Sequence, residues 1–323
     1  MNIYFHIEYR TVFGEELVLN IVRKSQDGRE ITAQYRMTTA DGLNWTYALN
    51  NYQAAGAVAK RGQEPDAKPV LDYFYSVDNN GSEERTEWRT VAHRLELEPR
   101  EALCFHVYDR WIDMPEDSYL YSSAFTECLR RATPQPLTAR EGLGGGSPRL
   151  RLVVRAPQLR AGQRLVVSGE NEELGFWNLD KAVAMTEHNY NEWVVDLDAT
   201  AFAGRRVEMK FVALPTDSKE HAPAGSALWE TGHNRVLDVP TYLRRGDVLV
   251  CQLDQAFFAL SNQRVAGTLV PVFSLRSKGS FGVGDFGDLQ LMVDWVARTG
   301  QRLLQVLPIN DTTSTHTWTD SYP

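Results

Sequence analysis

The chain has 323 residues, enough for two or three domains, and a formal net charge of −8, which argues against nucleic acid or an anionic membrane as partners. Its three cysteines, Cys104, Cys128 and Cys251, have no metal-like spacing, so we expect reduced structural thiols, no metal and no cofactor. The N-terminus shows no signal pattern, and no apolar stretch approaches the ~18–20 residues that span a bilayer, which favours the cytoplasm.

Residues 1–131 predict an antiparallel β-sandwich. Short runs of alternating apolar and polar residues are separated by turn residues, which is the pattern of such a fold. The predicted strands are IYFHIEYR, EELVLNIV, NWTYALN, LDYFYSV, TEWRTVAHRLEL and ALCFHVYDRW.

Residues 132–148, with prolines and a Gly-Gly-Gly run, predict a flexible linker to a second sandwich over residues 149–255. The strands predicted there are RLRLVVRA, QRLVVSGE, NEWVVDLD, RRVEMKFVAL, SALWETGHNRVLDVP and DVLVCQLD. The two blocks align as a weak internal repeat. In that alignment Trp45 matches Trp193, YFY matches MKF, and Trp88 matches Trp229.

Residues 256–323 contain one βα unit. GTLVPVFSLRS predicts a strand, and DLQLMVDWVART predicts an amphipathic helix that Asp288 can begin and Gly300 can end. The apolar run QRLLQVLP is typical of a parallel strand that is buried on both faces. One such unit cannot bury its own faces, so we expect the rest of a larger domain to follow.

Two tryptophans of the second block, Trp177 and Trp229, lie among polar and turn residues rather than in strand centres. Exposed indoles in loops indicate a platform for a flat, weakly polar ligand such as a sugar. Lys210 alternates with core residues and is expected on the outer face of its strand. The pattern alone leaves a second interpretation open, in which both rings plug the interior and the lysine is merely solvated.

The glycines of GVGDFG formally match a dinucleotide-binding turn. However, RSKGSF separates them from the preceding strand, and Asp285 and Asp288 would repel a phosphate at the helix start. A nucleotide site is therefore the weaker interpretation.

The segments PVFSLRSKGSFGVGDFGDL, TGQRLLQVLPIND and THTWTDSYP resemble the opening of 4-α-glucanotransferases of glycoside hydrolase family 77. The resemblance implies a (β/α)8 barrel and retaining double displacement by carboxylates beyond residue 323, so no catalytic residue is expected in this chain. It also implies that Trp318, Asp320 and Ser321 belong to a substrate-contacting loop.

LGFW, EMKF and ALWETGHNR resemble starch-binding domains of carbohydrate-binding module family 20. The resemblance implies an α-glucan site, which would consist of Trp177, Lys210, Trp229, Glu230 and Asn234. It implies a possible second site at Tyr190 and Trp193.

In the first block the resemblance is partial. Phe74 stands in place of the lysine, and Trp88 and His93 would leave half a site. That half site implies a degenerate starch-binding domain. We expect Trp111, in the segment after it, to pack between domains.

The expected fold is mainly β: two antiparallel, immunoglobulin-like sandwiches of the starch-binding type, then the first βα unit of a truncated (β/α)8 barrel. The expected function is the N-terminal part of a cytoplasmic 4-α-glucanotransferase, which transfers glucosyl units from maltose or maltooligosaccharides to glucans such as glycogen. This chain alone would bind starch- or glycogen-type glucans without catalysis. The alternatives are a non-catalytic glucan-binding scaffold and, less favoured, a dinucleotide-binding enzyme.

Overall fold

The computed structural model describes residues 1–24, 29–52, 69–97, 104–129, 135, 146–160, 162–216, 226–260 and 265–309. The fold is mainly β, as predicted, and divides into two compact units, Met1–Leu260 and Ser261–Pro323. Among these described residues, no helix is long and apolar enough to cross a membrane.

The first half of unit 1 forms the first sandwich. Its strands are β1 Asn2–Glu8, β2 Glu15–Lys24, β3 Glu30–Arg36, β4 Thr38–Thr39, β5 Asn44–Leu49, β6 Val70–Asn79, β7 Ser82–Thr86, β8 His93–Glu96 and β9 Cys104–Asp109. The single strand predicted over residues 86–97 is wrong: β7 ends at Thr86, and a turn precedes β8. A 3-10 turn over Ser118–Tyr121 follows β9.

The second half of unit 1 forms the second sandwich. Its strands are β10 Arg149–Arg155, β11 Gln163–Gly169, β12 Val183–Ala184, β13 Thr186–Asn189, β14 Glu192–Asp198, β15 Arg206–Pro215, β16 Leu228–Trp229, β17 Arg235–Asp238 and β18 Asp247–Gln252.

The two halves have the same topology. In the first half, one sheet has the strand order β3-β2-β6-β7, and β8 also pairs with β6. In the second half, the equivalent sheet has the order β12-β11-β15-β16, and β17 also pairs with β15. The remaining strands form one eight-stranded sheet, β13-β14-β10-β18-β9-β1-β5-β4, that both halves share through the parallel pair β9–β18. The predicted linker over 132–148 lies mostly outside the described residues, and the domain boundaries around it stay a prediction.

The residue pairs between neighbouring strands show which residues of the two sandwiches are equivalent. Tyr73 pairs with His93 in the first sandwich, and Met209 pairs with Arg235 at the equivalent place in the second. The segment YFY, which begins at Tyr73, therefore aligns with MKF, which begins at Met209, as predicted. Ser76 pairs with Thr86 as Val212 pairs with Trp229. The predicted match of Trp88 to Trp229 is therefore wrong.

The residue of the first sandwich that corresponds to Trp229 is thus Thr86. By the same residue pairings His93 corresponds to Arg235, and its predicted match to Asn234 is wrong. The sequence alignment failed here because the turns that follow β7 and β16 differ in length.

Strands β10, β14 and β18 are buried on both faces. Leu152 and Leu249 face the core of the second sandwich, whereas Val153, Val194 and Val248 belong to the core of the first. Near-continuous runs such as LVV and VLVC are typical of strands covered on both sides. The first sandwich therefore covers the outer face of the second.

A buried polar cluster lies where the sandwiches meet. His93 Nδ1 lies 2.9 Å from Gln252 Oε1, and His93 Nε2 lies 3.0 Å from Glu87 Oε1. The hydroxyl of Tyr73 donates to Asp109 at 3.0 Å. Burial lowers the pKa of His93, but the charges of Glu87 and Asp109 outweigh it and raise that pKa to about 9. The imidazole is therefore a buried cation between two carboxylates.

Unit 2 consists of β19 Gly267–Val270, helix α1 Phe286–Arg298 and β20 Leu303–Val306, with the two strands parallel. The predicted strand GTLVPVFSLRS ends early, because Pro271 cannot donate to a ladder and a 3-10 turn over Val272–Ser274 follows it.

Asp285, rather than the predicted Asp288, caps helix α1. Its carboxylate accepts the N–H groups of Gly287 and Asp288 at 2.8 and 3.0 Å. Asp288 in turn accepts the N–H of Asp285 at 3.1 Å, which completes a capping box. Gly300, with φ of 74°, ends the helix as predicted.

Candidate ligand-binding site

The indole rings of Trp177 and Trp229 lie side by side on the surface of the second sandwich. Their centroids are 6.2 Å apart and their planes are inclined at 44°. Trp229 is 37% exposed and Trp177 is half-buried, so neither ring is sealed in the interior. We refer to these two residues as the tryptophan pair.

An unusual backbone conformation places Trp177 in this pair. Gly175, Phe176 and Trp177 have φ values of 78°, 50° and 62°, which lie in the left-handed region. Only glycine tolerates the first position, since a Cβ there would lie 2.7 Å from the carbonyl oxygen of Lys181. Bulky residues in this region are strained, and such strain is commonly found at ligand sites.

Lys210 lies on the outer face of β15, as predicted, with its side chain directed to the loop after Trp229. Its Nζ donates to the carbonyl oxygen of Gly232 at 2.8 Å. On the same strand Glu208 accepts from the side-chain amide of Asn234 at 2.9 Å. Two hydrogen bonds therefore hold this loop against β15, and the lysine retains further donors for a ligand hydroxyl.

Glu230 has a structural position that the sequence did not reveal. Its carboxylate is only 4% exposed, accepts the N–H of Phe211 at 2.9 Å and forms an ion pair with Arg235 at 2.8 Å. The predicted role of Glu230 as a sugar ligand is therefore replaced by a role in fixing the loop that holds Trp229.

The possible second site at Tyr190 and Trp193 is not assembled. Trp193 is 5% exposed, belongs to the core of the second sandwich, and its Nε1 finds no hydrogen-bond partner among the described residues. A ring buried in this way cannot stack on a sugar. Tyr190 instead lines an open groove of about 860 Å³.

The first sandwich does not reproduce the site. Phe74, at the position of Lys210, is buried under the guanidinium of Arg89, whose Cζ lies 3.5 Å from the ring centroid. Thr86 replaces the second tryptophan, and His93 is buried. Trp111 stacks on Tyr9 at 4.3 Å and is half-buried, so part of its ring packs against the first sandwich.

In the part of the chain that the structure describes, one group of side chains has ligand atoms close enough for a metal ion: Cys104, His106 and Asp247, within 4.8 Å of one another. Cys104 Sγ lies 3.5 Å from His106 Nε2, and Asp247 accepts the N–H of Arg244 at 2.6 Å. Burial, with the charge of Asp247, raises the pKa of the Cys104 thiol and disfavours the thiolate that a metal needs.

Two further sequence predictions concern unit 2. The loop residues Trp318, Asp320 and Ser321 lie outside the described residues. At the start of α1, the N–H groups that would hold a dinucleotide phosphate are bonded to the Asp285 carboxylate instead. The structure thus gives the nucleotide interpretation no support.

The sequence analysis missed Phe257, which is 40% exposed in a segment bonded to the loop after Trp229. Its carbonyl oxygen accepts the N–H of Thr231 at 2.7 Å, so the two segments are tied together. The only signal in the sequence was a pair of phenylalanines in QAFFAL outside any strand.

Comparison with known families agrees with these features. Residues 149–247 match the family described as starch binding domain, and residues 270–323 match the 4-alpha-glucanotransferase family of glycoside hydrolases. The second sandwich is therefore similar to starch-binding domains, and the C-terminal segment is similar to part of the 4-alpha-glucanotransferases.

Two relatives are similar to parts of this chain. The 4-alpha-glucanotransferase DPE2 of Oryza sativa subsp. japonica is 35% identical over 176 residues, which are 54% of this chain and 17% of that protein. The 4-alpha-glucanotransferase of Chlamydia muridarum is 50% identical over 48 residues, 15% of this chain and 9% of that protein. The chain thus spans less than a fifth of the length of either relative.

A solved structure, the family 20 carbohydrate-binding module of the maltotetraose-forming amylase from Pseudomonas saccharophila, is 19% identical with a TM-score of 0.24. The match covers 32% of this chain and 99% of that one.

Proposed function

We propose that this protein binds α-1,4-glucan chains at the tryptophan pair and Lys210. Within a larger cytoplasmic 4-α-glucanotransferase, this binding holds glycogen-type acceptors or maltooligosaccharides near a retaining (β/α)8 barrel. The larger enzyme, rather than this chain alone, then transfers glucosyl units from maltose or a maltooligosaccharide to the bound glucan.

The observation that carries the proposal is the adjacency of Trp177 and Trp229. Sugars present flat C–H faces, and two neighbouring rings inclined to each other suit successive residues of a curved α-glucan better than a flat surface would. Lys210 and Asn234 beside them supply donors for hydroxyl groups. The second sandwich is therefore equipped for a neutral, hydroxyl-rich chain.

Unit 2 supports the part of the proposal that concerns the barrel. Its two parallel strands and one helix leave large apolar side chains uncovered, among them Phe273, Phe281, Leu291, Val293 and Trp295. Retaining transfer needs two carboxylates some ~5–5.5 Å apart. Asp285 and Asp288 cap a helix instead, so we assign catalysis to a part of the enzyme outside this chain.

The test is a titration with maltoheptaose and with β-cyclodextrin, followed by tryptophan fluorescence and calorimetry. We expect saturable binding that Trp229→Ala abolishes. Phe13→Ala, which removes an exposed ring of the first sandwich, is the matched control and should bind as the parent does. Binding that survives in Trp229→Ala would contradict the proposal.

The same titration with NAD separates the dinucleotide alternative. We expect no change in fluorescence, because the start of α1 is already capped. A response to NAD without a response to glucan would overturn the carbohydrate assignment. Incubation with maltose should release no glucose, which distinguishes a binding part from a complete enzyme.

A further inference from the structure

A pocket of about 240 Å³ lies between the two sandwiches, beside the buried cluster around His93. We call it the junction pocket. Its walls carry four aromatic side chains: Trp88 and Trp111 from the first sandwich, Tyr121 from the segment that follows, and Phe257 from the second sandwich.

These rings are held in place before any ligand arrives. Tyr121 meets Trp88 edge to face at 5.3 Å and donates its hydroxyl to Gln255 at 2.8 Å. Trp111 stacks on Tyr9, and its Nε1 donates to Asp113 at 3.1 Å. Preorganised rings lose little conformational entropy on binding, which favours affinity.

Charged groups of both signs line the pocket. They are the guanidinium groups of Arg110 and Arg155 and the carboxylates of Asp113 and Asp254. No partner for the carboxylate of Asp254 or for the indole N–H of Trp88 is found within the described ranges. Aromatic walls, balanced charge and spare polar groups suit a neutral ligand that is rich in hydroxyls.

Hydrogen bonds connect one wall of the pocket to the loop that follows Trp229. Phe257 lines the pocket, and its carbonyl oxygen accepts both the N–H and the hydroxyl of Thr231, at 2.7 and 3.2 Å. Thr231 belongs to the loop that carries Trp229. In addition, Arg235 donates to the carbonyl oxygen of Gln255 at 3.2 Å. These hydrogen bonds hold the loop of the first site and one wall of the pocket together.

We propose that the junction pocket is a further α-glucan-binding site, which takes the continuation of a chain bound at the tryptophan pair. This inference rests on the proposed function, since it assigns to the same ligand a longer path across both sandwiches. The first sandwich, which lacks its own site, then contributes to binding through Trp88 and Trp111.

The experiment compares a short and a long ligand by calorimetry on the whole chain, with maltotriose and maltoheptaose as probes. Trp88→Ala and Phe257→Ser should weaken maltoheptaose binding about tenfold, the effect of losing one stacked ring. Both variants should bind maltotriose within twofold of the parent, because a short sugar occupies the tryptophan pair alone. Trp229→Ala should lose both ligands, and Phe13→Ala should lose neither.

The outcomes separate the two proposals. If maltoheptaose binds Trp88→Ala and Phe257→Ser as tightly as the parent while Trp229→Ala fails, the junction site is refuted and the proposed function stands. If the parent binds neither sugar, the proposed function fails as well. Should Trp88→Ala not fold, Phe257→Ser decides, since that side chain is exposed and its backbone bond to Thr231 remains.

Discussion

Glu87 and Glu230 occupy equivalent positions in the two sandwiches and make the same bonds. Glu87 accepts the N–H of Tyr75 at 2.7 Å, and Glu230 accepts the N–H of Phe211 at 2.9 Å. Each carboxylate then pairs with a cation on the neighbouring strand, His93 in the first sandwich and Arg235 in the second. The structural anchor of the repeat is therefore present twice, whereas the proposed ligand residues around it are present once.

Glu230→Gln should lower the free energy of unfolding by about 3 kcal/mol, because it leaves the Arg235 guanidinium without its buried counter-charge. Urea denaturation measures the change. The exposed Glu83→Gln is the control and should differ from the parent by less than ~0.5 kcal/mol. A Glu230→Gln variant as stable as this control would show that the pair contributes nothing.

The stability of the protein should depend on pH through His93. Its pKa is about 9 in the folded state against 6.5 for the free side chain, so its contribution is complete below pH 6.5 and is lost as the pH rises through 9. We expect a loss of about 3 kcal/mol between pH 6 and pH 9.5.

His93→Gln provides the comparison for this pH dependence. The pKa of His188 is also raised, mainly by its hydrogen bond to Glu96, so a second histidine contributes to the pH dependence of the parent's stability. The difference between parent and variant, from urea denaturation at each pH, isolates His93. If the free energy of unfolding changes with pH in the same way in both proteins, the prediction is contradicted.

Phe176→Asn should stabilise the protein by about 1 kcal/mol, because asparagine tolerates the left-handed conformation that phenylalanine adopts here under strain. The side chain is 61% exposed, so little packing is lost. Thermal unfolding measures the gain. Phe13→Asn, at an exposed position without a positive φ, should show none, and glucan affinity should stay within twofold in both variants.

Trp193→Phe should leave the affinity for maltoheptaose unchanged, because the ring lies in the core. Its stability should fall by only about 1 kcal/mol, since lost packing is partly offset by removal of a buried N–H without an acceptor. Trp229→Phe is the comparison and should weaken binding without a comparable loss of stability. Loss of maltoheptaose affinity in Trp193→Phe would restore the second site.

Much of the candidate site could be predicted from the sequence. Tryptophans outside strand centres predicted Trp177 and Trp229, and alternation along β15 predicted the outward position of Lys210. The inward orientation of the Glu230 side chain could not be predicted. The sequence does not show that the N–H of Phe211 and the guanidinium of Arg235 both lie next to its carboxylate. Trp88 was aligned wrongly for a related reason, since register depends on strand pairing and not on spacing.

The sequence by itself determined which segments become strands and which tryptophans stay outside them, because alternation and turn residues act over a few neighbours along the chain. Only the tertiary structure decided that β9 and β18, more than a hundred residues apart, pair in parallel and join the two halves into one sheet. The same distant pairing covers the outer faces of β10 and β14, and it brings Trp88, Trp111 and Phe257 around one pocket. Burial depends on what lies across from a residue, and that is set by contacts the chain forms only when it folds.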